Sequence, residues 1–179
     1  MEKIFIGGKR INLRTPEVKD AESIKEYAQD KSISKYTVHI PYPYRIEDAL
    51  SFIKKNREKL EKKEEYSLGI ELNKEIVGMV SLFNINYKNK NAELGYWIGK
   101  PFRGKGYASE AAKMIIDFGF NKLGFRRIFA KLNHENTDSI KVLERIGFKY
   151  EGRLTKHRFQ NGRYCDELRY GLLKEEFND

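Results

Sequence analysis

Apolar positions along the chain change their spacing several times, and each change marks an element. Alternation over residues 10–14 predicts a first strand, and Thr15-Pro16 then leads into a helix over 18–28 with Ile24, Tyr27 and Ala28 on its buried side. After a loop stiffened by Pro41 and Pro43, Ile46, Ala49, Leu50, Ile53 and Leu60 recur at roughly helical intervals, predicting a second helix over 46–62. The period then shortens. Strand-like runs at 65–72 and 75–84 flank Asn73-Lys74, a pair suited to a tight hairpin, and a third run covers 91–98, so these three are expected to form an antiparallel meander.

Helical spacing returns over 108–123, where Ala108, Ala111, Ala112, Ile115 and Gly119 share a face and Gly124 offers a left-handed stop. The remainder reads as strand (126–132), helix (137–146, stopped at Gly147) and two strands (148–154 and 163–172) joined through Gln160-Asn161-Gly162. This order is an α/β arrangement. Neither repeats nor linker-like tracts divide it, so one domain over residues 1–179 is expected.

Composition narrows the function classes. Hydrophobic residues make up 40% of the 179, enough for a core, and no apolar run reaches the roughly 20 residues of a membrane span. The N-terminal segment lacks the apolar stretch of a secretion signal, so a cytoplasmic location is expected. Cys165 stands alone beside three scattered histidines (His39, His134 and His157), a spacing that predicts no metal site, and the thiol is expected to be packed or half-exposed. The net charge of +9 suits an anionic partner, but the charges are interspersed and carry no RNA-binding signature, so specific nucleic-acid binding is not expected.

The segment Gly95-Tyr-Trp-Ile-Gly-Lys-Pro-Phe-Arg-Gly-Lys-Gly-Tyr-Ala-Ser-Glu110 carries the chemistry. Here a strand runs into a glycine-rich loop that opens onto a helix, and free backbone N–H groups together with the helix dipole favour a phosphate there. Gly104 and Gly106 allow close approach of the backbone, amides from Gly104 through Ala108 supply donors, and Arg103 and Lys105 add positive charge. The loop lacks the Lys-Ser or Lys-Thr of a nucleoside-triphosphate P-loop and the third glycine of a dinucleotide fingerprint.

Arg103, Gly106 and Ala108 match the Arg/Gln-x-x-Gly-x-Gly/Ala signature of the GNAT acetyltransferases, which the chain resembles. The runs Ala92-Glu-Leu-Gly-Tyr-Trp-Ile and Arg-Gly-Lys-Gly-Tyr-Ala-Ser-Glu-Ala look like the RimJ/RimL branch, which acetylates ribosomal-protein N-termini. So do Arg10-Ile-Asn-Leu-Arg-Thr-Pro near the start, then Asn136-Thr-Asp-Ser139, Val142-Leu-Glu-Arg-Ile-Gly-Phe148 and Glu151-Gly152, in order along nearly the whole chain.

The resemblance implies a mixed, mostly antiparallel sheet of six to seven strands flanked by about four helices and splayed at the coenzyme site. It also implies direct acetyl transfer from acetyl-CoA to a primary amine, foremost a protein N-terminus, with a polyamine or aminoglycoside as the rival acceptor and a non-catalytic acyl-CoA sensor as the rival class. A homodimer is compatible with it. Backbone groups at Tyr96, Trp97 and Ile98 are expected to hold the pantetheine arm, whereas core packing is the better explanation of the aromatic side chains. Tyr107 belongs to the same coenzyme loop.

Glu93 is the candidate general base, against the plainer reading of a carboxylate paired with a cation. Asn136 and Ser139 suit capping of the helix that follows, and by resemblance Asn136 contacts pantetheine while Ser139 lies near the sulfur. Arg145 and Lys141 are candidates for the nucleotide phosphates. Many relatives carry a tyrosine acid four residues after the serine; here that place is Leu143, which leaves the thiolate's proton to Ser139 or water.

Overall fold

The computed structural model describes residues 3–37, 40–160 and 162–177; His39 of the histidine set and Asn161 of the predicted turn lie outside them. A single sheet runs in the order β1-β2-β3-β4-β5-β6-β8-β7. Its strands are β1 (Phe5–Gly7), β2 (Asn12–Arg14), β3 (Tyr66–Leu72), β4 (Glu75–Asn86), β5 (Asn91–Ile98), β6 (Arg127–Asn133), β7 (Lys149–Gln160) and β8 (Arg163–Leu173). The helices are α1 (Ala21–Ala28), α2 (Lys31–Ser34), α3 (Ile46–Glu61), α4 (Tyr107–Asp117) and α5 (Thr137–Arg145). No helix among the described residues is long and apolar enough to cross a membrane.

Among the described residues, eight strands and five helices correct the expected six to seven and about four. The additions are elements too short to show a period. β1 pairs with β2 over three residues, and α2 is one turn of polar sequence started by Asp30, whose side chain accepts from Ser32 N at 2.9 Å. β7 runs six residues past its predicted end at 154 because an edge strand needs no apolar alternation; it pairs on one side only and bulges between Leu154 and Arg158. Asn73 and Lys74 both take positive φ, as a two-residue hairpin turn requires.

α4 is shorter than its apolar pattern, ending at Asp117 and continuing as a π turn over Phe118–Lys122. Gly119 lies there so close to the sheet that a Cβ would meet Leu82 Cδ1 at 2.8 Å, and Gly124 follows with φ +73°.

Two cores flank the sheet. α4 and α5 cover one face with Ala112, Ile115, Ile116 and Leu143 packed on Leu68, Val80, Leu82, Leu94 and Ile128. On the other face α1 and α3 pack Ile24, Ala49 and Ile53 on Ile76 and Met79, with Trp97 of β5 at the margin. No residue of β6, β7 or β8 belongs to that second core, so among the described residues this half of the face carries no helix.

Arg14 welds the start of α1 to the sheet. It donates from Nη1 and Nη2 to Asp20 at 2.7 and 2.8 Å and from Nε to Glu71 at 2.6 Å, in a site where Asp20 is buried. The Asp20 hydrogen bond leads the effects that hold the guanidinium above its ordinary range against the penalty of burial.

Candidate active site

All neighbouring strands are antiparallel except β5 and β6, which pair in parallel over only three residues, Asn91–Glu93 with Arg127–Phe129. Beyond that point β5 follows β4 and β6 follows β8, so the two diverge and the backbone of Leu94 to Ile98 presents an edge to the gap. An extended ligand can be held there by main-chain hydrogen bonds, because unpaired strand edges are ready donors and acceptors. The alternation of β5 sorts its side chains: Ala92, Leu94, Tyr96 and Ile98 face α4 and α5, while Glu93, Gly95 and Trp97 face the other way.

At the end of β5 the chain turns through Lys100–Phe102 into α4. Gly106, the N-cap, has φ +83°, and Gly104 has φ +75° with nothing within 4 Å of where a Cβ would stand. The first helical bond is Glu110 N to Gly106 O at 3.1 Å, so the amides of Tyr107, Ala108 and Ser109 find no acceptor within the helix. Ser109 Oγ is also buried without a hydrogen-bond partner. Open space and free amides at a helix start fit a phosphate-bearing ligand.

The loop cations are placed unequally. Arg103 turns away from the helix start: Nη1 donates to Ser32 Oγ at 2.7 Å, Nε to the Ile98 carbonyl at 3.0 Å, and Nη2 lies 3.1 Å from Asp30. Burial raises the Asp30 carboxyl, but the Ser32 hydrogen bonds and the charge of Arg103 outweigh it and hold the group below its ordinary range. Lys105 is exposed.

Arg10, which sequence reasoning did not assign to the site, grips the loop. Its Nη1 donates to the Lys105 carbonyl at 2.9 Å, its Nε to Glu110 at 2.7 Å, and its guanidinium stacks 5.0 Å from the Tyr107 ring centre. Nothing in local periodicity could reveal a contact spanning 100 residues.

Across the gap, α5 begins at Asn136, whose Oδ1 accepts from Ser139 N at 3.3 Å, the expected capping bond. The Tyr96 hydroxyl donates to the Ser139 carbonyl at 3.3 Å and so ties β5 to this helix start. Burial raises the Tyr96 phenol well above its ordinary range, with the Ser139 contact opposing. Leu143, in the place of the missing tyrosine, is fully buried in the core. Lys141 and Arg145 are exposed, and Arg145 lies in the last turn, about 13 Å along the helix from Asn136.

Glu93 is buried on the opposite face, beside the point where the strands part. Asn84 Nδ2 donates to its Oε2 at 2.9 Å and Lys131 Nζ lies 2.8 Å from the same oxygen. Both fixed partners therefore occupy one oxygen and leave Oε1 for another proton. An open depression adjoins on the helix-free face, lined by Arg127, Phe129, Glu151, Leu154 and Arg169. Cys165 is buried, its Sγ accepting from Asn133 Nδ2 at 3.1 Å.

Residues 10–149 match the family described as the Acetyltransferase (GNAT) domain. The chain is 35% identical to the uncharacterized N-acetyltransferase p20 of Bacillus licheniformis, covering 99% of each protein. It is 27% identical to the spermidine N(1)-acetyltransferase of Escherichia coli K12, over 93% of this chain and 88% of that one. Among solved structures, Mycobacterium smegmatis RimJ in complex with CoA-disulfide superposes with a TM-score of 0.90 at 24% identity, over 98% of this chain and 90% of that one.

Proposed function

Because the chain belongs to the GNAT acetyltransferase family, and is thereby an N-acetyltransferase, we propose that it acetylates the N-terminal α-amine of a protein. The observation that carries this reading is the open, helix-free face beside Glu93, which admits a chain end with the polypeptide trailing behind it. An enclosed pocket lined by carboxylates would instead suit a polyamine.

Acetyl-CoA brings an activated acyl group. The free amides of Tyr107 to Ser109 and the loop at Gly104 to Gly106 bind its phosphates, with Lys105 adding charge. Backbone groups from Tyr96 to Ile98 hold the pantetheine and orient the thioester in the gap, and Asn136 contacts it from α5. Glu93 Oε1 accepts the amine proton, directly or through one water, and Ser139 donates to the departing sulfur. Arg103 serves by pinning the end of β5 against α2.

A second reading, a small amine acceptor, draws on the likeness to the spermidine enzyme. Coenzyme A release measured with N-terminal peptides, polyamines and aminoglycosides separates the two: robust peptide turnover supports the proposal, and turnover confined to small amines sinks it. Tight acetyl-CoA binding without turnover on any acceptor would indicate an acyl-CoA sensor.

The loop gives a separate prediction. In Gly106→Ala the new Cβ stands 3.2 Å from Arg10 Nη2 at φ +83°, a strain of about 1–2 kcal/mol. The KM for acetyl-CoA is expected to rise about tenfold, more than for Gly104→Ala, whose Cβ would meet open space. Equal KM values in both variants and the wild type would remove the loop from the binding site.

A further inference from the structure

We infer that the acceptor is acidic just behind its amine, and that Lys131, Arg169 and Arg158 on the helix-free face select it. This rests on the proposal that the acceptor is a protein N-terminus and goes further by naming its sequence chemistry. The register of the sheet brings these residues together. Lys131 pairs with Arg169 across β6 and β8, Asn133 with Glu167, and Arg158 of β7 with Cys165. Alternation puts their side chains on the face that carries Glu93 and is left uncovered by α1 and α3.

Their charges do not balance. The buried carboxylate of Glu167 is shared by two guanidiniums, Arg169 at 2.6 Å and Arg158 at 3.8 Å, and Lys131 is paired to Glu93 itself. Three cations thus meet two carboxylates, and Lys156 stands exposed on the same hairpin. Arg169 Nε and Gln160 Nε2 are buried without a hydrogen-bond partner, as is Glu167 Oε1, which meets Arg169 Nη2 as an ion pair at 2.6 Å. Arg127 and Glu151 pair with each other, so what this end of the face lacks is negative charge, and a carboxylate supplies it. A polyamine would meet repulsion there.

Phe129, the β6 partner of Glu93, lines the depression on its Glu93 side, and Leu154 lines it from the edge strand β7. Two residues along the strand and two strands across place Arg169 about 12 Å from Glu93. An extended chain covers that distance in about three or four residues. The acidic side chains that reach Lys131 and Arg169 therefore belong to positions two to four of the acceptor, while Arg158, met through Glu167, lies farther along the face.

The test compares acetylation of peptides that share an N-terminal residue and differ only at positions two to four, carrying Asp, Asn or Lys. The wild type is expected to show kcat/KM about tenfold higher for the Asp peptide than for the Asn peptide, and lower still for Lys, with the gap narrowing in high salt. Arg169→Gln, about 12 Å along the face from Glu93, should cut the Asp preference to about threefold or less, and Arg169→Glu should favour the Lys peptide relative to wild type.

Equal use of all three peptides by the wild type would overturn the inference while leaving the acceptor class intact. Turnover of spermidine with none of the peptides would overturn the acceptor class as well. A dimer in solution that Leu154→Glu dissociates with the peptide preference unchanged would assign this face to a second copy of the chain, and would also overturn it.

Discussion

Glu93→Gln is expected to lower kcat by about 10²- to 10⁴-fold, the usual share of a general base, with little loss of fold. The amide keeps an acceptor oxygen for Asn84 and Lys131, which hold Oε2 in the wild type, so the side chain stays where it is and loses only its basicity. Coenzyme A release under saturating acetyl-CoA reads the effect, and thermal melting confirms that the variant is folded. A kcat within threefold of wild type would exclude Glu93 as the base. Lys131→Met is the informative companion, because it leaves Asn84 as the remaining partner of Oε2 and lets the carboxylate turn. It should lower kcat less than Glu93→Gln does, and Lys131→Arg should recover part of the loss.

The largest effect on stability is expected at Arg14, remote from the reaction. Arg14→Met leaves Asp20 and Glu71 facing each other without their shared cation, and breaking such a part-buried network costs about 3–5 kcal/mol. Chemical denaturation at neutral pH should show the loss as a lower midpoint with an unchanged slope. Its pH dependence has a definite sign. In the folded wild type, burial raises the Glu71 carboxyl but the Arg14 and Asn12 hydrogen bonds outweigh it, holding the group below its ordinary 4.5. The resulting stabilisation is complete above that value and disappears as pH falls through the folded one. The gap between wild type and Arg14→Met should therefore shrink as pH drops below about 4.5. A gap that is constant with pH would mean that Arg14 acts by packing alone.

Local pattern was a good guide wherever it was long. β3, β4 and β5 were legible from alternation, and α3 and α5 from helical spacing, because each buries one face and must repeat its apolar residues at the period of its backbone. β1 and α2 have three and four residues, too few for any period to appear. The polar continuation of β7 was illegible for a different reason: its pairing is supplied by β8, not by a buried face of its own.

The candidate site divides in the same way. The glycine loop and the capping Asn136 could be read directly, since backbone conformation and helix termination are local demands on residue type. Arg10 and Lys131 could not, because their contacts come from strands and loops distant in sequence, nor could Asn84, whose contact depends on the shifted register between β4 and β5.

By itself, then, the sequence determined the order of strands and helices, the glycine turn at the head of α4 and the family to which the chain belongs. Those features depend on neighbours along the chain, where spacing and residue type act within a few bonds. Only the tertiary structure decided that β5 and β6 part after three paired residues, that Glu93 is anchored through one oxygen, and that the face beside it stays open with cations in excess. Each of these is set by register between separate strands, and register is fixed by packing across the whole sheet.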